Sequence, residues 1–346
     1  MSRALVISGG GSKGAFAVGV IKRLFQQYPG LTFDMYVGTS TGSLIVPLVA
    51  MGEMAYLEKL YTTQTTKDII ITNRLGDRLN TTSIFDANPL EELLIKHYTD
   101  KKYDELVAAG EKIFLTTVCM QTSELVVFTS AANPAQPRLY EIRKLINGDH
   151  FRRAVMASAS QPIFMRPVKV NKNVPGEAHP VHQFVDGGVR EYAGIQMAID
   201  NGATEIFTIL LSSGIPESSD EEFTSLFPIL QKTIDIFIED VSKNDLVVPY
   251  QYNEALEYIS AVKKKMKSSG ISDAAIDDYF SISGMESPYQ GKVPLKLYTI
   301  RPKAPLGGGP GGLTFDPVVM TQMLNKGVTA ADEFIAGLNP GDVTWA

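Results

Sequence analysis

Two strand–turn–helix units follow one another near the start of the chain, and they constrain the fold more than any other feature. An apolar strand at residues 3–8 leads through a glycine-rich turn at 9–14 into an amphipathic helix at 15–27. A second short strand at 35–37 is followed by another glycine turn and by an apolar helix at 43–51. Strands joined through helices pair in parallel, because the helix returns the chain to the same end of the sheet. The sequence therefore predicts an α/β fold with a mostly parallel central sheet.

Further strands are predicted along the chain. Two apolar segments at 112–121 and 125–130 read as a hairpin. Short apolar runs at 183–185, 205–211 and 295–300 read as single strands that join the same sheet.

We predict one domain over residues 1–346, with residues 213–294 as a helical insertion or cap within it. Apolar residues of this segment recur at helical spacing and are interpreted as core-facing rather than as a lid over a groove. They are Leu226, Phe227, Ile229, Leu230, Ile234, Phe237 and Ile238. A glycine loop at 307–312 either hinges such a lid or connects the last strand to a final helix at 317–336.

The composition limits the classes of molecule that the protein is expected to bind. Acidic side chains outnumber basic ones by 38 to 32, for a net charge of −6, so the chain has no overall basic field for nucleic acid. Its apolar runs are shorter than the roughly 18–20 residues that span a bilayer. The first strand is also too short for the apolar region of a signal peptide, about 7–15 residues. The single cysteine, Cys119, suits a reducing compartment. We therefore expect a soluble cytoplasmic protein with transient, peripheral membrane contact.

A serine lies between two glycines directly after the second strand. The segment from Gly38 through Ser40 to Gly42 fits the pattern G-x-S-x-G, in which a serine occupies a strained turn between a strand and a helix. The flanking glycines remove side chains that would collide in so tight a turn. The N-terminus of the following helix favours a developing negative charge. The pattern predicts Ser40 as a nucleophile.

The first glycine turn admits two interpretations. It consists of Gly9, Gly10, Gly11, Ser12, Lys13 and Gly14. Its backbone N–H groups could stabilise the oxyanion of a tetrahedral intermediate. The turn also fits the dinucleotide pattern G-x-G-x-x-G, and Asp34 follows the last glycine by 20 residues, which is the spacing of a ribose-binding acid. Asp34 precedes the second strand instead of ending it, which argues against that alternative. A Walker phosphate loop is excluded, because glycine follows Lys13 where Ser or Thr is required.

A serine nucleophile needs a base, and an acid is a better candidate here than a histidine. The histidines are His97, His150, His179 and His182. None follows Asp186 in the chain, His150 is interpreted as a solvated residue at a helix start, and the last two lack companions for a metal site. Asp186 ends a short strand, and Gly187 and Gly188 would let another backbone turn approach it closely. An ordinary Asp-Gly turn has the same pattern, so both interpretations stay open at this point.

Taken in order, the first glycine turn, the serine turn and the Asp186-Gly187-Gly188 segment resemble the three signatures of the patatin-like phospholipase family. The small-residue segment at 157–162 is also similar to that family, and the resemblance covers roughly residues 5–188. It implies a three-layer α/β/α patatin-like fold. It further implies a catalytic dyad of serine and aspartate that needs no histidine, no calcium and no other cofactor.

The resemblance assigns roles to particular residues. Ser40 becomes the nucleophile and Asp186 the base. The residues around the oxyanion hole are Gly10, Gly11, Ser12 and Lys13. The donors are backbone amides near Gly10 and Gly11, and Lys13 orients the loop or adds positive potential. Many members carry arginine at this position, so lysine keeps the charge but loses the bidentate geometry. Because a carboxylate is a weak base at its usual pKa, we expect burial to raise the pKa of Asp186.

The family acts on acyl esters of glycerolipids, so the resemblance implies phospholipid or lysophospholipid as substrate, an acyl-enzyme intermediate and an apolar groove. Two rival hypotheses are a dinucleotide-binding oxidoreductase and a catalytically silent lipid-binding scaffold of the same fold. The sequence leaves open the acyl position, the headgroup, a homo-oligomer and an activating partner or second messenger.

Overall fold

The computed structural model describes residues 2–72, 82–215, 222–285, 287–289 and 291–338. The strands in these ranges are β1 (Arg3–Ile7), β2 (Met35–Gly38), β3 (Ile71–Thr72), β4 (Phe85–Asp86), β5 (Lys112–Cys119), β6 (Leu125–Thr129), β7 (Glu141–Lys144), β8 (Val168–Asn171), β9 (Val181–Asp186), β10 (Glu205–Ile209) and β11 (Lys296–Ile300). The helices are α1 (Gly14–Gln27), α2 (Thr41–Ala50), α3 (Met54–Thr63), α4 (Thr66–Ile69), α5 (Asn88–His97), α6 (Asp100–Ala108), α7 (Gly148–Ala159), α8 (Ile195–Asp200), α9 (Leu226–Ser268), α10 (Asp273–Tyr279) and α11 (Pro317–Ala336).

One large sheet organises the molecule. Its strand order is β11-β10-β1-β2-β5-β6-β7, with β9 also paired to β5 and β8 paired to β9. The pairings from β11 through to β5 are parallel, as is the pairing of β6 with β7. The pairings of β5 with β6, β5 with β9 and β8 with β9 are antiparallel. The predicted α/β class with a mostly parallel sheet is therefore confirmed.

Side chains of β1 show how the sheet is covered on both faces. Successive side chains of a strand point to opposite faces. Leu5 and Ile7 accordingly enter a core that also contains residues of α1, α2 and α11, whereas Ala4 and Val6 enter a second core that contains residues of α8. A strand buried on both faces must be apolar at every position, which explains the uninterrupted run from Ala4 to Ile7. The three-layer α/β/α arrangement is confirmed.

Helices α1 and α11 approach each other so closely that only glycine fits at two points of contact. A methyl group added to Gly19 would overlap the carbonyl oxygen of Leu324, and one added to Gly327 would overlap that of Phe16. The backbones of the two helices therefore touch without intervening side chains.

This contact reverses the usual effect of a glycine-to-alanine change within a helix. Alanine ordinarily stabilises a helix interior by roughly 0.5–1 kcal/mol relative to glycine. We expect Gly327→Ala instead to lower the free energy of unfolding by about 1–3 kcal/mol, because the added methyl group forces α1 and α11 apart. Urea denaturation would measure the change. Asn325→Ala, at an exposed position of the same helix, serves as the control and should be neutral or slightly stabilising. A more stable Gly327→Ala protein would contradict this account of the packing.

The segment predicted as a helical insertion contains α9 and α10, while residues 216–221, 286 and 290 within it lie outside the described residues. The core-facing interpretation is wrong for three of its apolar side chains, since Leu226, Ile229 and Phe237 are 72%, 46% and 65% exposed. Ile234 does pack against the first core. The side chain of Phe227 is outside the described part of the structure. The assignment of residues 1–346 to one domain stays a prediction.

Within the described ranges, no helix is both long enough and apolar enough to cross a bilayer.

Candidate active site

Ser40 occupies a strained turn between β2 and α2. Its backbone has φ 56° and ψ −123°, a conformation that costs a non-glycine residue on the order of 1–3 kcal/mol. The glycines on either side are required by close approach. A methyl group on Gly38 would lie 2.6 Å from the backbone of Gly42, and one on Gly42 would overlap the carbonyl oxygen of Ile7. The turn therefore presents Ser40 at the N-terminus of α2, as the G-x-S-x-G pattern predicts.

The pairing of β5 explains how Asp186 reaches this turn. Strand β2 runs along one edge of β5 and ends where Gly38 pairs with Leu115. Strand β9 is antiparallel to β5, and its last residue, Asp186, pairs with Thr117. Because β6 takes the other edge of β5 over the same residues, β9 must lie on the β2 edge. Strands β2 and β9 thus run towards each other, and the residues just past their ends meet.

At this meeting point the Ser40 hydroxyl is close enough to the Asp186 carboxylate to lower its pKa. The backbone N–H of Gly188 donates a hydrogen bond to Asp186 Oδ1, at 2.8 Å. The carboxylate is only 6% exposed. Burial raises the pKa of Asp186 to about 6, although the interactions with Ser40 and Gly188 oppose the shift. The expected rise in pKa is therefore present, and the carboxylate is a stronger base than an exposed aspartate while still largely ionised at neutral pH.

The C-terminal end of α7 holds the backbones of both residues. Ser40 donates its backbone N–H to the Ser158 hydroxyl at 3.1 Å, and Asp186 donates its own to the carbonyl oxygen of Ser160 at 2.9 Å. The Ser160 hydroxyl instead donates to Met156 O, within the helix, at 2.7 Å. Sequence reasoning assigned no role to this segment. Its signal was the cluster of small residues at 157–160, which leaves room for two other backbones.

The first glycine turn lies beside Ser40. A 3₁₀ turn spans Gly11–Lys13, and the Lys13 backbone N–H is occupied by a hydrogen bond to Gly10 O at 3.1 Å. Among the described residues, the N–H groups of Gly10 and Gly11 have no backbone or side-chain acceptor. The Lys13 side chain lines a cavity at the site. Ser12 is fully buried, and a methyl group on Gly308 would lie 2.6 Å from its hydroxyl oxygen.

The other motif glycines make room for neighbouring side chains. A methyl group on Gly9 would lie 3.1 Å from Ser40 Cβ, and one on Gly14 would lie 2.7 Å from the Tyr61 ring. A methyl group on Gly187 would overlap the Thr116 hydroxyl. These glycines allow the three signature segments to pack without intervening side chains.

The loop at residues 307–312 lies directly on the first glycine turn. A methyl group on Gly11 would overlap the carbonyl oxygen of Gly312, and one on Gly312 would overlap that of Gly10. Gly309, Pro310 and Gly311 line the site. This loop is therefore part of the wall of the site and more than a connection. Sequence reasoning missed this role, although five glycines within six residues were a signal of close backbone contact.

A buried network supports the glycine turn from behind. The Tyr192 hydroxyl lies near the side chains of Ser8 and Ser212, and its ring would lie 3.6 Å from a methyl group on Gly9. The Arg301 guanidinium donates to the carbonyl oxygen of Ser212 from Nε and Nη2 at 3.1 and 3.0 Å. The ends of β1 and β10 are thereby tied together next to Ser40.

Two cavities meet at Ser40. The first has a volume of about 890 Å³, part of it open to solvent, and falls within the usual size of small-molecule sites, about 300–1,000 Å³. Its walls are mainly apolar side chains from α2, α3 and α5. These include Leu44, Leu48, Leu60, Tyr61, Leu90 and Leu94.

The second cavity, of about 1110 Å³ including its open mouth, contains both Ser40 and Asp186 and carries charged side chains. Helix α9 supplies Lys232, Asp235 and Glu239 to its wall. The site thus has one apolar side and one side with charges of both signs. The N-terminal half of α9, which the sequence suggested as a cap, forms part of the second side.

Comparison with known proteins identifies the family of this chain. The sequence profile of the Patatin-like phospholipase family matches residues 5–199, more than half of the chain. The chain belongs to this family. It is therefore a member of a family of lipid acyl hydrolases with a patatin-like α/β/α fold. Among solved structures it is similar to VipD from Legionella pneumophila, with 12% identity, a TM-score of 0.41, and coverage of 97% of this chain and 67% of that chain. No curated protein matches the chain.

The family match includes all three signature segments, and the competing dinucleotide interpretation has no support in the patatin-like fold. Asp34 comes before β2, where its Oδ2 accepts a hydrogen bond from the backbone N–H of Arg3 at 2.7 Å. It therefore lies at the opposite end of the strand from the glycine turn. The acid that would bind a ribose is absent from its required position.

Among the described residues, no histidine is hydrogen-bonded to Ser40 or Asp186, although His97 lines the apolar cavity. His150 is buried, and its Nε2 lies 2.9 Å from the carbonyl oxygen of Asn171, so the interpretation as a solvated residue is wrong. Its ring also packs edge-on against Phe128. Over the described ranges, no group of three or more His, Cys, Asp or Glu residues could hold a metal ion.

Proposed function

We propose that this patatin-like protein is a serine acyl hydrolase that cleaves fatty-acyl esters of phospholipids or lysophospholipids. One observation carries the proposal: a strained serine lies beside a buried aspartate where an apolar cavity meets one with charged side chains. Nucleophile, base and lipid-compatible cavity thus coincide at one point. Ser40 and Asp186 form the dyad.

The chemistry follows from this arrangement. Ser40 Oγ attacks the ester carbonyl carbon as Asp186 accepts the hydroxyl proton, and the carbonyl oxygen becomes an oxyanion. The N–H groups of Gly10 and Gly11 are the donors that would stabilise that charge, and Lys13 adds positive potential. Collapse of the intermediate breaks the ester bond, and the departing alcohol takes the proton from Asp186. Water then attacks the acyl-enzyme with Asp186 again as base, which releases the fatty acid and regenerates Ser40.

Each of the two cavities suits one end of the substrate. The acyl chain occupies the apolar cavity, where each methylene group removed from water contributes about 0.8 kcal/mol to binding. The alcohol portion, with its phosphate-bearing headgroup, occupies the cavity that α9 lines. A cavity with charges of both signs would be a poor environment for a hydrocarbon chain, because those charges would lose hydration without gaining partners.

Access to a membrane substrate needs only reversible contact. The exposed side chains of Leu226, Ile229 and Phe237 lie on α9, the helix that also lines the charged cavity. Apolar side chains on a helix next to an active site favour shallow insertion into a lipid surface. We propose transient, peripheral association of a cytoplasmic protein on this basis.

A fluorophosphonate experiment tests the function directly. The purified protein should release fatty acid from phosphatidylcholine or lysophosphatidylcholine in EDTA as fast as in calcium. Pretreatment with a methyl fluorophosphonate reagent should abolish release, and mass spectrometry should find the adduct on the peptide that contains Ser40. Release that continues after complete labelling would contradict the proposal, as would a folded protein that neither labels nor releases fatty acid.

Removal of the Ser158 hydroxyl should slow the reaction without weakening substrate binding. Ser158→Ala leaves the Ser40 N–H without its acceptor, which costs about 1–3 kcal/mol at a buried group. We expect kcat to fall about tenfold with little change in KM, because the serine turn loses its orientation while the cavities stay intact. Steady-state hydrolysis of a p-nitrophenyl ester would measure both constants.

Ser160→Ala is the matched control for this variant. The Ser160 side chain is equally buried, but its hydroxyl donates to Met156 O within α7, and alanine keeps the carbonyl oxygen that accepts from Asp186. Equal losses of kcat in the two variants would show that any cavity at this helix end has the same effect, and would exclude a specific role for Ser158.

A further inference from the structure

Within the described ranges, the junction between the two cavities contains one polar side chain besides Ser40. Ser40, Gln161 and Gly311 are the residues that line both cavities. Gln161 is only 8% exposed. Gly311 has φ 63°, and a methyl group placed there would lie 2.9 Å from Gln161 Oε1 and 3.1 Å from Nε2. The carboxamide therefore borders the passage that a substrate must occupy when its ester is at Ser40.

The position of Gln161 is fixed relative to the reacting groups. It follows Ser160, whose carbonyl oxygen accepts the backbone N–H of Asp186 at 2.9 Å. Its own backbone N–H donates to Ala159 O at 3.2 Å. The backbone N–H of Met165 donates to the Gln161 carbonyl oxygen at 2.9 Å. The side chain thus extends from a backbone held at both ends. It is placed beside the ester on the same wall that positions the dyad.

The carboxamide can recognise a hydroxyl group there. A glutamine side chain carries two donors on nitrogen and an acceptor on oxygen, so it can both donate to and accept from a substrate hydroxyl. The glycerol carbon next to the scissile ester carries a free hydroxyl in a monoacyl lipid. In a diacyl lipid the same carbon carries a second ester and a second hydrocarbon chain.

A second chain would lie beside charged groups on the alcohol side of the junction. It would leave the glycerol within the cavity that contains Lys13, Lys232, Asp235 and Glu239 as well as the apolar Leu211 and Leu306. Hydrocarbon against these side chains would displace their water and supply no hydrogen bonds. The apolar cavity is already occupied by the chain that is being cleaved.

From this geometry we infer that Gln161 is a specificity-determining residue that selects monoacyl glycerophospholipids by hydrogen bonding the hydroxyl next to the scissile ester. The inference rests on the proposed function and narrows its substrate class to lipids with one acyl chain. It also gives Gly311 a role, since any side chain at that position would push against the carboxamide.

Short-chain lipids below their micellar concentration test this selection without interfacial effects. The substrates are a lysophosphatidylcholine, the phosphatidylcholine with the same acyl chain, and a deoxy analogue of the lysolipid that lacks the free hydroxyl. We expect the wild-type kcat/KM to favour the lysolipid over both others by about tenfold, the loss typical of an unpaired polar group in a binding site.

Variants of Gln161 should remove this discrimination. In Gln161→Leu and in Gln161→Met, the ratio of kcat/KM for the lysolipid to that for the deoxy analogue should fall to about one, a change of about tenfold. Gln196→Leu is the matched control, because Gln196 is half-buried, bonds Asp200 at 2.8 Å and lines neither cavity. Its ratio should equal that of the wild type. If either Gln161 variant does not fold, the wild-type comparison of lysolipid with deoxy analogue still tests the inference.

Three results separate this inference from the proposed function. A wild-type protein that hydrolyses a p-nitrophenyl ester and labels at Ser40, but prefers the diacyl lipid or ignores the hydroxyl, would overturn the inference and leave the function standing. Gln161 variants that keep the wild-type ratio would also overturn the inference. A wild-type protein that neither hydrolyses the p-nitrophenyl ester nor labels would overturn both.

Discussion

Ser40→Ala is expected to lower kcat for acyl-ester hydrolysis by at least about 10⁴-fold, because no other group can form the acyl-enzyme at this turn. Alanine keeps Cβ and the backbone conformation, so the fold and the cavities should be preserved. The measurement is fatty-acid release from lysophosphatidylcholine by purified protein. Ser83→Ala is the control, since the Ser83 hydroxyl donates to Phe85 O at 2.8 Å and Ser83 lines neither cavity. A Ser40→Ala protein with more than a trace of activity would end the proposal.

The backbone strain at Ser40 also predicts a difference in stability between two inactive variants. Ser40 has φ 56° and ψ −123°, a region where alanine is strained and glycine is not. Ser40→Gly should therefore be as inactive as Ser40→Ala but more stable, by on the order of 1 kcal/mol in urea denaturation. A stability difference of this sign would show that the strained serine serves a purpose other than folding.

Asp186→Asn is expected to lower kcat by about 10³- to 10⁴-fold, because asparagine cannot accept the Ser40 proton. Its Oδ1 can still accept from the Gly188 N–H, so the turn after β9 should stay in place. Asp200→Asn is the control, as Asp200 accepts from Tyr140 at 2.9 Å and lies outside both cavities. Wild-type rates in purified Asp186→Asn would show that another group acts as base.

The pKa of Asp186 predicts how the wild-type rate depends on pH. Burial raises this pKa to about 6, and only the ionised carboxylate can accept a proton. The kcat/KM should therefore be constant above neutrality and fall about tenfold for each pH unit below about 6. A rate that stays constant from pH 8 down to pH 5 would contradict the assignment of Asp186 as base.

The raised pKa of Asp186 also predicts that Asp186→Asn is more stable than the wild type at high pH, although it is less active. An acid whose pKa is raised on folding stabilises the protein only while it is protonated, so its contribution is present below its usual value of 3.8 and is lost as pH rises through about 6. Asp186→Asn should consequently be more stable than wild type at pH 8, by up to about 3 kcal/mol. The difference should vanish near pH 4. Urea denaturation at both pH values would measure it, and a less stable variant at pH 8 would contradict the burial cost.

Several elements could be predicted because their signals are local. The final helix was predicted at 317–336, and α11 spans Pro317–Ala336. The predicted hairpin corresponds to β5 and β6, which pair antiparallel. Helix α8 and strand β7 were not predicted, because segments of six and four residues are too short to show a clear period. The apolar outer face of α9 was misassigned, since helical spacing shows that a stripe exists but not what covers it.

The sequence by itself determined the serine turn, the glycine turn and the acid followed by two glycines, because each motif is a short segment whose backbone geometry depends on its own residues. Their meeting was decided by the tertiary structure. Asp186 reaches Ser40 only because β9 and β2 run towards each other along one edge of β5. Gln161 and Gly311, some 150 residues apart in the chain, share the junction of two cavities for the same reason. Such contacts depend on strand pairing and packing between distant segments, which no single segment of the chain encodes.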